Sequence, residues 1–313
     1  MSTPTPDASR SARPEPGRST PLVLVLPGQH RFVAGLDDLE IESLRAPGRF
    51  SNGELIAEVP EHVHGRACVV VASIAPPPGA IERLTVVTQA LCRAGATDVL
   101  AVVPYLAYAR QDRADPTQSL GLAWLGSLLR AAGIDRLACV DVHSEAARKL
   151  LGMPVVSIAP APVLAAALSR EWRTDVTFVA PDEGAVDRCL ALTLAAGAPE
   201  PIVWLRKRRT RSGVEHVGLV GTPGSRVLLV DDILDTGATL VSCCRELQRE
   251  GVEEIGVVVT HGLYTGDTWR EMFALGVTRV WITDTVLSRK RPDPTTVVPV
   301  SPLLGALLRG QEI

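Results

Sequence analysis

The chain has 313 residues, a formal net charge of −3, and 46% hydrophobic residues, of which few are aromatic. This length suffices for about two domains, each with a full hydrophobic core. The nearly balanced charge excludes a general nucleic-acid or membrane-surface binder, so we expect neither partner. Because aromatic residues are scarce, Ala, Val and Leu must fill the core, which suits helices packed on a parallel sheet.

The six cysteines and the N-terminal segment indicate the compartment. No two cysteines form a Cys-x-x-Cys pair, and most lie in apolar runs. This pattern is typical of buried thiols in a reducing cytosol rather than of a disulfide framework or a zinc site. Residues 1–20 are rich in Pro, Ser and Thr and lack the apolar segment of a secretory signal. We therefore expect a disordered tail and a cytoplasmic protein.

From residue 21 onwards, strand and helix patterns alternate. Short apolar runs ended by polar or turn residues predict buried strands, and apolar residues at three- and four-residue spacing predict helices. The strands predicted in the first half are PLVLVLPG, ACVVVASI, DVLAVVPYL and RLACVDVHS. The helices GAIERLTVVTQALCRAGA and SLGLAWLGSLLRAAGI lie between the last three of these strands.

The second half repeats this alternation. Its predicted strands are VTFVAPD, PIVWLRKR, SRVLLVDD, EIGVVVTHGLYTG and VTRVWITDTV, with helices at GAVDRCLALTLAAGA and ATLVSCCRELQREGV. We therefore predict an α/β fold of two tandem domains, each a mostly parallel sheet with helices on both faces. The Pro-rich stretch PVVSIAPAPV places the boundary near residue 157, which gives domains of residues 21–157 and 158–313.

The strongest local motif is VLLVDDILDTGAT, at residues 227–239. An apolar strand runs into two adjacent acids, and a short Asp-Thr-Gly-Ala-Thr loop then opens a helix. Its glycine permits a tight turn, and the outward-pointing amides of the loop and helix start can hold a phosphate. The adjacent carboxylates suit ribose hydroxyls or a magnesium ion. An ordinary helix cap needs only one of these residues.

This loop resembles the phosphoribosyl pyrophosphate-binding motif of type I phosphoribosyltransferases and of ribose-phosphate pyrophosphokinases. Four further stretches are similar to the pyrophosphokinases alone, and they are GRFSNGE, VVPYLAYARQDR, VDVHSEAARKLL and the pair FVAPDEGAVDR with LRKRRTR. In isolation, the first is typical of a Ser-Asn-Gly turn and the last of a solvated basic patch. The second is the most specific, and the resemblance extends from about residue 22 to about residue 300.

The resemblance implies transfer of a pyrophosphoryl group from ATP to ribose 5-phosphate, with Mg²⁺ as cofactor. Carried onto this chain, it assigns ATP binding to Phe50, Asn52, Gly53, Glu54, Arg110, Gln111 and His143. It assigns ribose 5-phosphate binding to Asp231, Asp232, Asp235, Thr236, Gly237, Ala238 and Thr239. It assigns metal contacts to His143 and Asp182, and catalysis to Lys207 and Arg209. In that family the FSNGE-like loop helps to bind adenine in a neighbouring subunit's site, so a homo-oligomer, dimer or hexamer, is expected.

The chain also departs from the family pattern. The departures are SIAPPPGAIERL, ADPTQSLGL, Arg206 in place of an acid, and Ala238 in place of a glycine. Three alternatives stay open. One is a phosphoribosyltransferase, which needs the phosphate loop but neither FSNGE nor YARQDR. The others are a non-catalytic homologue that regulates an active pyrophosphokinase, and an enzyme of the same chemistry that acts on a different sugar phosphate.

Overall fold

The structure of the protein is a computed structural model. It describes residues 21–76, 79–111, 117–142, 144–198, 202–210, 213–286 and 288–311, with the side chains of residues 208–215 left out. The predicted N-terminal tail and His143 therefore lie outside the described residues. Among the described residues, no helix combines the length and the apolar character that crossing a membrane requires.

The first half is built on a six-stranded sheet. Its elements are β1 (Leu22–Val25), β2 (Ile41–Ser43), β3 (Gly48–Arg49), β4 (Leu55–Ile56), β5 (Ala67–Val71), α1 (Ala80–Arg93), β6 (Asp98–Val102), α2 (Gly121–Ala131), β7 (Arg136–Val140), α3 (Glu145–Leu150) and β8 (Val155–Ile158). The sheet order is β2-β1-β5-β6-β7-β8, and every neighbouring pair is parallel. Strands β3 and β4 form a separate antiparallel hairpin.

The second half is built on a seven-stranded sheet. Its elements are α4 (Ala161–Ala167), α5 (Glu171–Thr174), β9 (Thr177–Ala180), α6 (Val186–Ala196), β10 (Val203–Thr210), β11 (Gly213–Val220), β12 (Arg226–Leu234), α7 (Ala238–Arg249), β13 (Glu254–Gly262), α8 (Glu271–Ala274), β14 (Val277–Thr283), β15 (Thr295–Val298) and α9 (Ser301–Leu308). The sheet order is β11-β10-β9-β12-β13-β14-β15. Only β11 pairs antiparallel, against β10, so this sheet is mostly rather than wholly parallel.

Strand β12 and helix α7 show how the sequence produces these elements. Residues 227–230 of β12 are Val-Leu-Leu-Val and all four are buried, as expected for a central strand covered on both faces. Helix α7 buries Leu240, Cys243 and Leu247, which share one face at helical spacing. The strand and helix pack into one core cluster, which fixes the loop between them.

The last helix, α9, follows the second sheet in the chain but packs against the first half. Its residues Leu303, Leu304 and Leu308 belong to a core cluster with Phe32 and Val25, which lie in the first half. Covering the first sheet with the last helix joins the two halves. The division of the chain at residue 157 stays a prediction, and strand β8, which lies within the Pro-rich stretch, belongs to the first sheet.

Candidate active site

The strand order of the second sheet creates a crevice between β9 and β12. From β9 the chain moves outward to β10 on one side and then returns to form β12 on the other. In open α/β sheets, ligands bind at such a reversal, outside the carboxyl ends of the strands. Asp182 follows the end of β9, and Asp231 and Asp232 lie near the end of β12. The fold therefore brings these three carboxylates to one edge of the sheet.

The phosphate loop is held by a close backbone contact. Gly237 has a φ of +84°, and a Cβ atom placed there would lie 2.5 Å from the Cα of Trp269. Only glycine fits both the left-handed backbone and this approach. Helix α7 begins at the next residue without a side-chain cap hydrogen bond. The Ala238 amide donates weakly to Oγ1 of Thr236 at 3.4 Å, and the following amides of the first turn are oriented to bind a phosphate.

Two ion pairs cross the mouth of this crevice. The Nζ of Lys207 lies 2.9 Å from Oδ2 of Asp182, and Nη1 of Arg110 lies 3.0 Å from Oδ2 of Asp235. Both pairs are partly exposed, so each adds little to stability. Together with Asp231, Asp232 and the phosphate loop, they line a cavity of about 110 Å³. The cavity thus contains cations that a phosphate group can attract away from their carboxylates.

A buried histidine lies opposite Lys207. His216 pairs with Lys207 in the β10–β11 ladder, so both side chains lie on the same face. The imidazole is buried, and neither ring nitrogen has a hydrogen-bond partner among the described residues, although the Pro181 carbonyl lies near it. Burial, and then the charge of Lys207, lower the pKa of His216. The ring is therefore neutral at physiological pH and does not repel the lysine.

A second cavity, of about 180 Å³, adjoins the first. Arg110 and Asp232 line both cavities, and Gln111, Tyr105 and His261 line the second. The ring of Tyr105 packs edge-on against His261, with the ring centroids 5.0 Å apart. Burial, and then Asp235, raise the pKa of Tyr105, so its hydroxyl stays protonated and can donate a hydrogen bond. This cavity connects the first half to the phosphate loop.

A largely buried charge cluster adjoins the second cavity, which two of its members, Asp141 and Asp232, line. The Nε of Arg188 lies 2.9 Å from Oδ2 of Asp141, and its Nη2 lies 3.8 Å from Oδ2 of Asp232. The Oγ1 of Thr260 donates a hydrogen bond to Asp141. Burial raises the pKa of Asp231 and Asp232 raises it further, whereas Arg188 opposes both. The carboxylate pair therefore depends on nearby positive charge to stay ionised.

Two family models match the chain at these two halves. Residues 38–133 match the N-terminal domain of ribose phosphate pyrophosphokinase, and residues 162–272 match the phosphoribosyl transferase domain. The chain is also 33% identical over 273 residues to the ribose-phosphate pyrophosphokinase of Caldanaerobacter subterraneus subsp. tengcongensis. That similarity covers 85% of this chain and 86% of the relative. The chain belongs to the ribose-phosphate pyrophosphokinase family.

A second relative and a solved structure support the same family assignment. The ribose-phosphate pyrophosphokinase of Maricaulis maris is 32% identical over 272 residues, covering 83% of this chain and 86% of the relative. The crystal structure of phosphoribosylpyrophosphate synthetase from Mycobacterium smegmatis superposes with a TM-score of 0.79 at 25% identity. The superposition covers 93% of this chain and 98% of the other. The family and the α/β fold predicted from the sequence are confirmed.

Most of the residues that the family resemblance assigned to substrates lie together. The first cavity is lined by Arg110, Asp182, Lys207, Asp231, Asp232, Asp235, Thr236, Gly237, Ala238 and Thr239. Gln111 lies in the adjoining cavity. His143 and the side chain of Arg209 lie outside the described residues, so their assigned roles remain predictions.

The predicted adenine loop lies apart from both cavities. Phe50, Asn52, Gly53 and Glu54 form the turn between β3 and β4, and none of them lines either cavity. The turn is locally well formed, because the amide of Glu54 donates to the Asn52 side chain at 3.1 Å. Phe50 is 53% exposed, which is unusual for a large apolar side chain. Within one chain, these residues do not meet the other predicted ATP contacts.

Several residues at this family site were not assigned from the sequence. Asp141 lies in the quoted VDVHS segment and His261 in THGLY, but neither was given a role. Arg188 ends the segment PDEGAVDR, six residues after Asp182. The sequence did contain one signal for Arg188. This cation lies at the start of helix α6, which follows the end of strand β9 and the assigned carboxylate Asp182. The partner across the two halves, Asp141, had no sequence signal that linked it to Arg188.

The carboxylates present fit a magnesium ion that is shared with a substrate. Among the described residues, no group of three or more His, Cys, Asp or Glu side chains could hold an ion alone. Mg²⁺ is usually bound by one or two carboxylates together with substrate phosphates and waters. Asp182 and Asp231 line the same cavity as the phosphate loop, so they are placed for such a shared site.

Proposed function

We propose that the chain is a ribose-phosphate diphosphokinase, which converts ATP and D-ribose 5-phosphate to AMP and 5-phospho-α-D-ribose 1-diphosphate for nucleotide biosynthesis in the cytoplasm. The observation that carries the proposal is a single cavity that unites the phosphate loop, two adjacent carboxylates, Lys207 and Arg110. A phosphoribosyltransferase would need the loop and the carboxylates. It would not need the YARQDR segment, whose Arg110 the first half brings to the same cavity.

The second half supplies the ribose 5-phosphate side of this proposal. The amides at the start of α7 and the hydroxyls of Thr236 and Thr239 bind the 5-phosphate. Asp231 and Asp232 then lie at the end of the strand that leads into the loop, within reach of the ribose hydroxyls. The Asp232 carboxylate is buried and has Arg188 at 3.8 Å, which limits its freedom and suits recognition of a fixed sugar. The C1 hydroxyl is thereby aimed towards the cations.

The ATP side is supplied by Arg110, Gln111 and Lys207. When a polyphosphate enters the cavity, Arg110 and Lys207 can exchange their carboxylate partners for phosphate oxygens. Phosphoryl transfer leaves the protein little covalent work, so positioning and charge stabilisation dominate. The C1 hydroxyl attacks the β-phosphorus of ATP from the side opposite to the leaving AMP, which is an in-line displacement. Lys207 then stabilises the charge on the transferred group, and we assign the same task to Arg209.

Asp182 and Asp231 would hold Mg²⁺ with the ATP phosphates, and His143 is a further predicted contact. The bound ion would neutralise phosphate charge and favour attack on phosphorus. Asp182 is engaged by Lys207 in the present arrangement, so binding of the ion and release of the lysine would occur together.

The proposal predicts AMP release that requires both substrates. Purified protein incubated with ATP and Mg²⁺ is expected to form AMP only when ribose 5-phosphate is added. Phosphoribosyl pyrophosphate should accumulate in equal amount, as measured by anion-exchange chromatography. The matched control replaces ribose 5-phosphate by ribose, which lacks the group that the phosphate loop binds.

Each other outcome points to one alternative. AMP formed with another sugar phosphate, but not with ribose 5-phosphate, would indicate a different acceptor. Folded protein that forms no AMP would support the regulatory homologue. Consumption of added phosphoribosyl pyrophosphate with a nucleobase would support a phosphoribosyltransferase.

We also propose that the active form is a homo-oligomer whose sites are shared. The support is the exposed Phe50 on a hairpin that lies away from the cavities of its own chain. Stacking of a base on an aromatic ring contributes ~1–3 kcal/mol, so Phe50→Ala should raise the KM for ATP by about fivefold to a hundredfold. Ile56→Ala, also exposed on this hairpin, is the control and should leave that KM unchanged.

Mixing variants tests whether Phe50 acts across a subunit boundary. Phe50→Ala subunits keep Lys207, and Lys207→Ala subunits keep Phe50. After co-refolding and assay at sub-saturating ATP, the two impaired partners are expected to show activity well above that of either parent. A shared site predicts this because one subunit supplies the lysine and its neighbour the ring. No recovery, with a fully active monomer seen by light scattering, would contradict the proposal.

A further inference from the structure

Arg188 lies at the centre of the charge cluster below the site. Its Nε lies 3.1 Å from Oδ1 and 2.9 Å from Oδ2 of Asp141. Its Nη2 lies 3.8 Å from Oδ2 of Asp232. The side chains of Arg188, Asp141 and Asp232 are 17%, 11% and 10% exposed. One guanidinium therefore contacts one carboxylate from each half of the chain, away from bulk water.

The two cations that line the phosphate-loop cavity pair with carboxylates other than Asp232. Lys207 contacts Asp182, and Arg110 contacts Asp235, each at the mouth of the cavity. Arg188 instead approaches the carboxylates from outside the phosphate-loop cavity, which it does not line. It also lines the larger cavity that contains Asp231 on the far side of β12. Of these three cations, Arg188 alone pairs with Asp232, and it does so from outside the cavity that contains the phosphate loop.

Asp141 is held in an unusual backbone conformation by the same contacts. Its φ is +53°, a left-handed value that is uncommon outside glycine, although Asp adopts it more readily than most residues. Arg188 and Thr260, both from the second half, bind its carboxylate, and its amide donates to Ile158 at 3.0 Å. Backbone outliers of this kind persist only where the surroundings enforce them, often near functional sites. These contacts come from both halves, because Arg188 and Thr260 belong to the second half and Ile158 lies in β8 of the first sheet.

We propose that Arg188 is a positioning residue of the reaction, which orients the Asp232 carboxylate towards the ribose hydroxyls and fixes Asp141 of the first half relative to it. The inference rests on the proposed function and adds a residue to its ribose side. A purely structural role would tie the halves together through Asp141 alone. The approach of Nη2 to Asp232 is what distinguishes the two roles.

The test compares Arg188→Gln with Arg188→Lys and with a matched arginine. Loss of a charged contact typically weakens an interaction by about tenfold to a hundredfold. We expect Arg188→Gln to lower kcat/KM for ribose 5-phosphate in this range, while the KM for ATP changes by less than about threefold. Arg188→Lys keeps the charge and should recover part of the loss.

Arg226→Gln is the matched control in the same half. Arg226 pairs with Glu254 at 2.6 Å and begins β12, at the opposite end of the strand from Asp232. The substitution removes an arginine–carboxylate pair that lies away from the site. The kinetic constants of this variant should therefore remain those of the wild type.

A double variant keeps the test decisive if the single variant is unstable. Arg188→Gln with Asp141→Asn replaces the ion pair by two amides that can hydrogen-bond, so no unpaired charge remains on residue 141. Its thermal midpoint should return towards that of the wild type, but calorimetry should still show weakened ribose 5-phosphate binding. Full recovery of binding and kcat/KM would overturn the proposal, because joining the halves would then suffice.

The outcome for the wild type separates this inference from the function on which it rests. If the wild type releases AMP with ribose 5-phosphate and Arg188→Gln does so equally well, only the role of Arg188 is wrong. If the wild type neither binds ribose 5-phosphate nor releases AMP, the proposed function itself fails.

Discussion

Lys207→Ala is expected to lower kcat by about a thousandfold or more while the KM for ATP changes by less than about tenfold. The Nζ of Lys207 lies 2.9 Å from Asp182 on the rim of the cavity, in the part of β10 that extends beyond its pairing with β9. From there it reaches a transferred phosphoryl group more readily than the adenine. The lysine should therefore stabilise mainly the charge that develops during transfer, whereas Arg110 and Gln111 hold the ground-state nucleotide.

The chain contains only three lysines, which provides a clear control. Lys290→Ala removes an exposed lysine on another segment and should leave both constants unchanged. Single-turnover measurement of AMP formation separates the chemical step from product release. Equal losses in turnover and ATP affinity, or full activity of Lys207→Ala, would rule out the assignment.

The sheets were predictable because their strands carry continuous apolar runs. A buried parallel strand such as residues 227–230 needs no partner in the sequence to be recognised, since both faces are covered by helices. Short edge strands gave no such signal. Strand β8 is only partly buried and lies among prolines, and β11 is antiparallel and contains two glycines, so neither was predicted.

The candidate site was predictable where its residues follow one another. The Asp-Asp and Asp-Thr-Gly-Ala-Thr residues lie on one strand-loop-helix unit, so their spacing alone places them around one ligand. Arg188 and Asp141 are 47 residues apart in the sequence and meet only because the halves pack together. A contact between domains depends on their relative placement, which local patterns do not encode.

Gly237→Ala is expected to abolish measurable ribose 5-phosphate binding and to lower the free energy of unfolding by about 1–2 kcal/mol from the left-handed backbone alone. The added methyl group would lie 2.5 Å from both Cα and Cβ of Trp269. Trp269 cannot move aside, because it is fully buried and packs edge-on against Tyr264, with the ring centroids 5.1 Å apart. The loop must shift instead, and its amides would no longer converge on a phosphate.

Ala238→Gly is the matched variant one position along the same loop. It adds no atoms, and it weakens the start of α7 by up to about 1 kcal/mol through backbone entropy, so stability should fall slightly while binding persists. Calorimetric titration with ribose 5-phosphate and urea unfolding of both variants measure the two effects separately. If Gly237→Ala bound the sugar as tightly as Ala238→Gly does, this result would show that the backbone amides of the loop do not bind the phosphate. The 5-phosphate would then have to be held by side chains, with Thr236 and Thr239 as the first to replace.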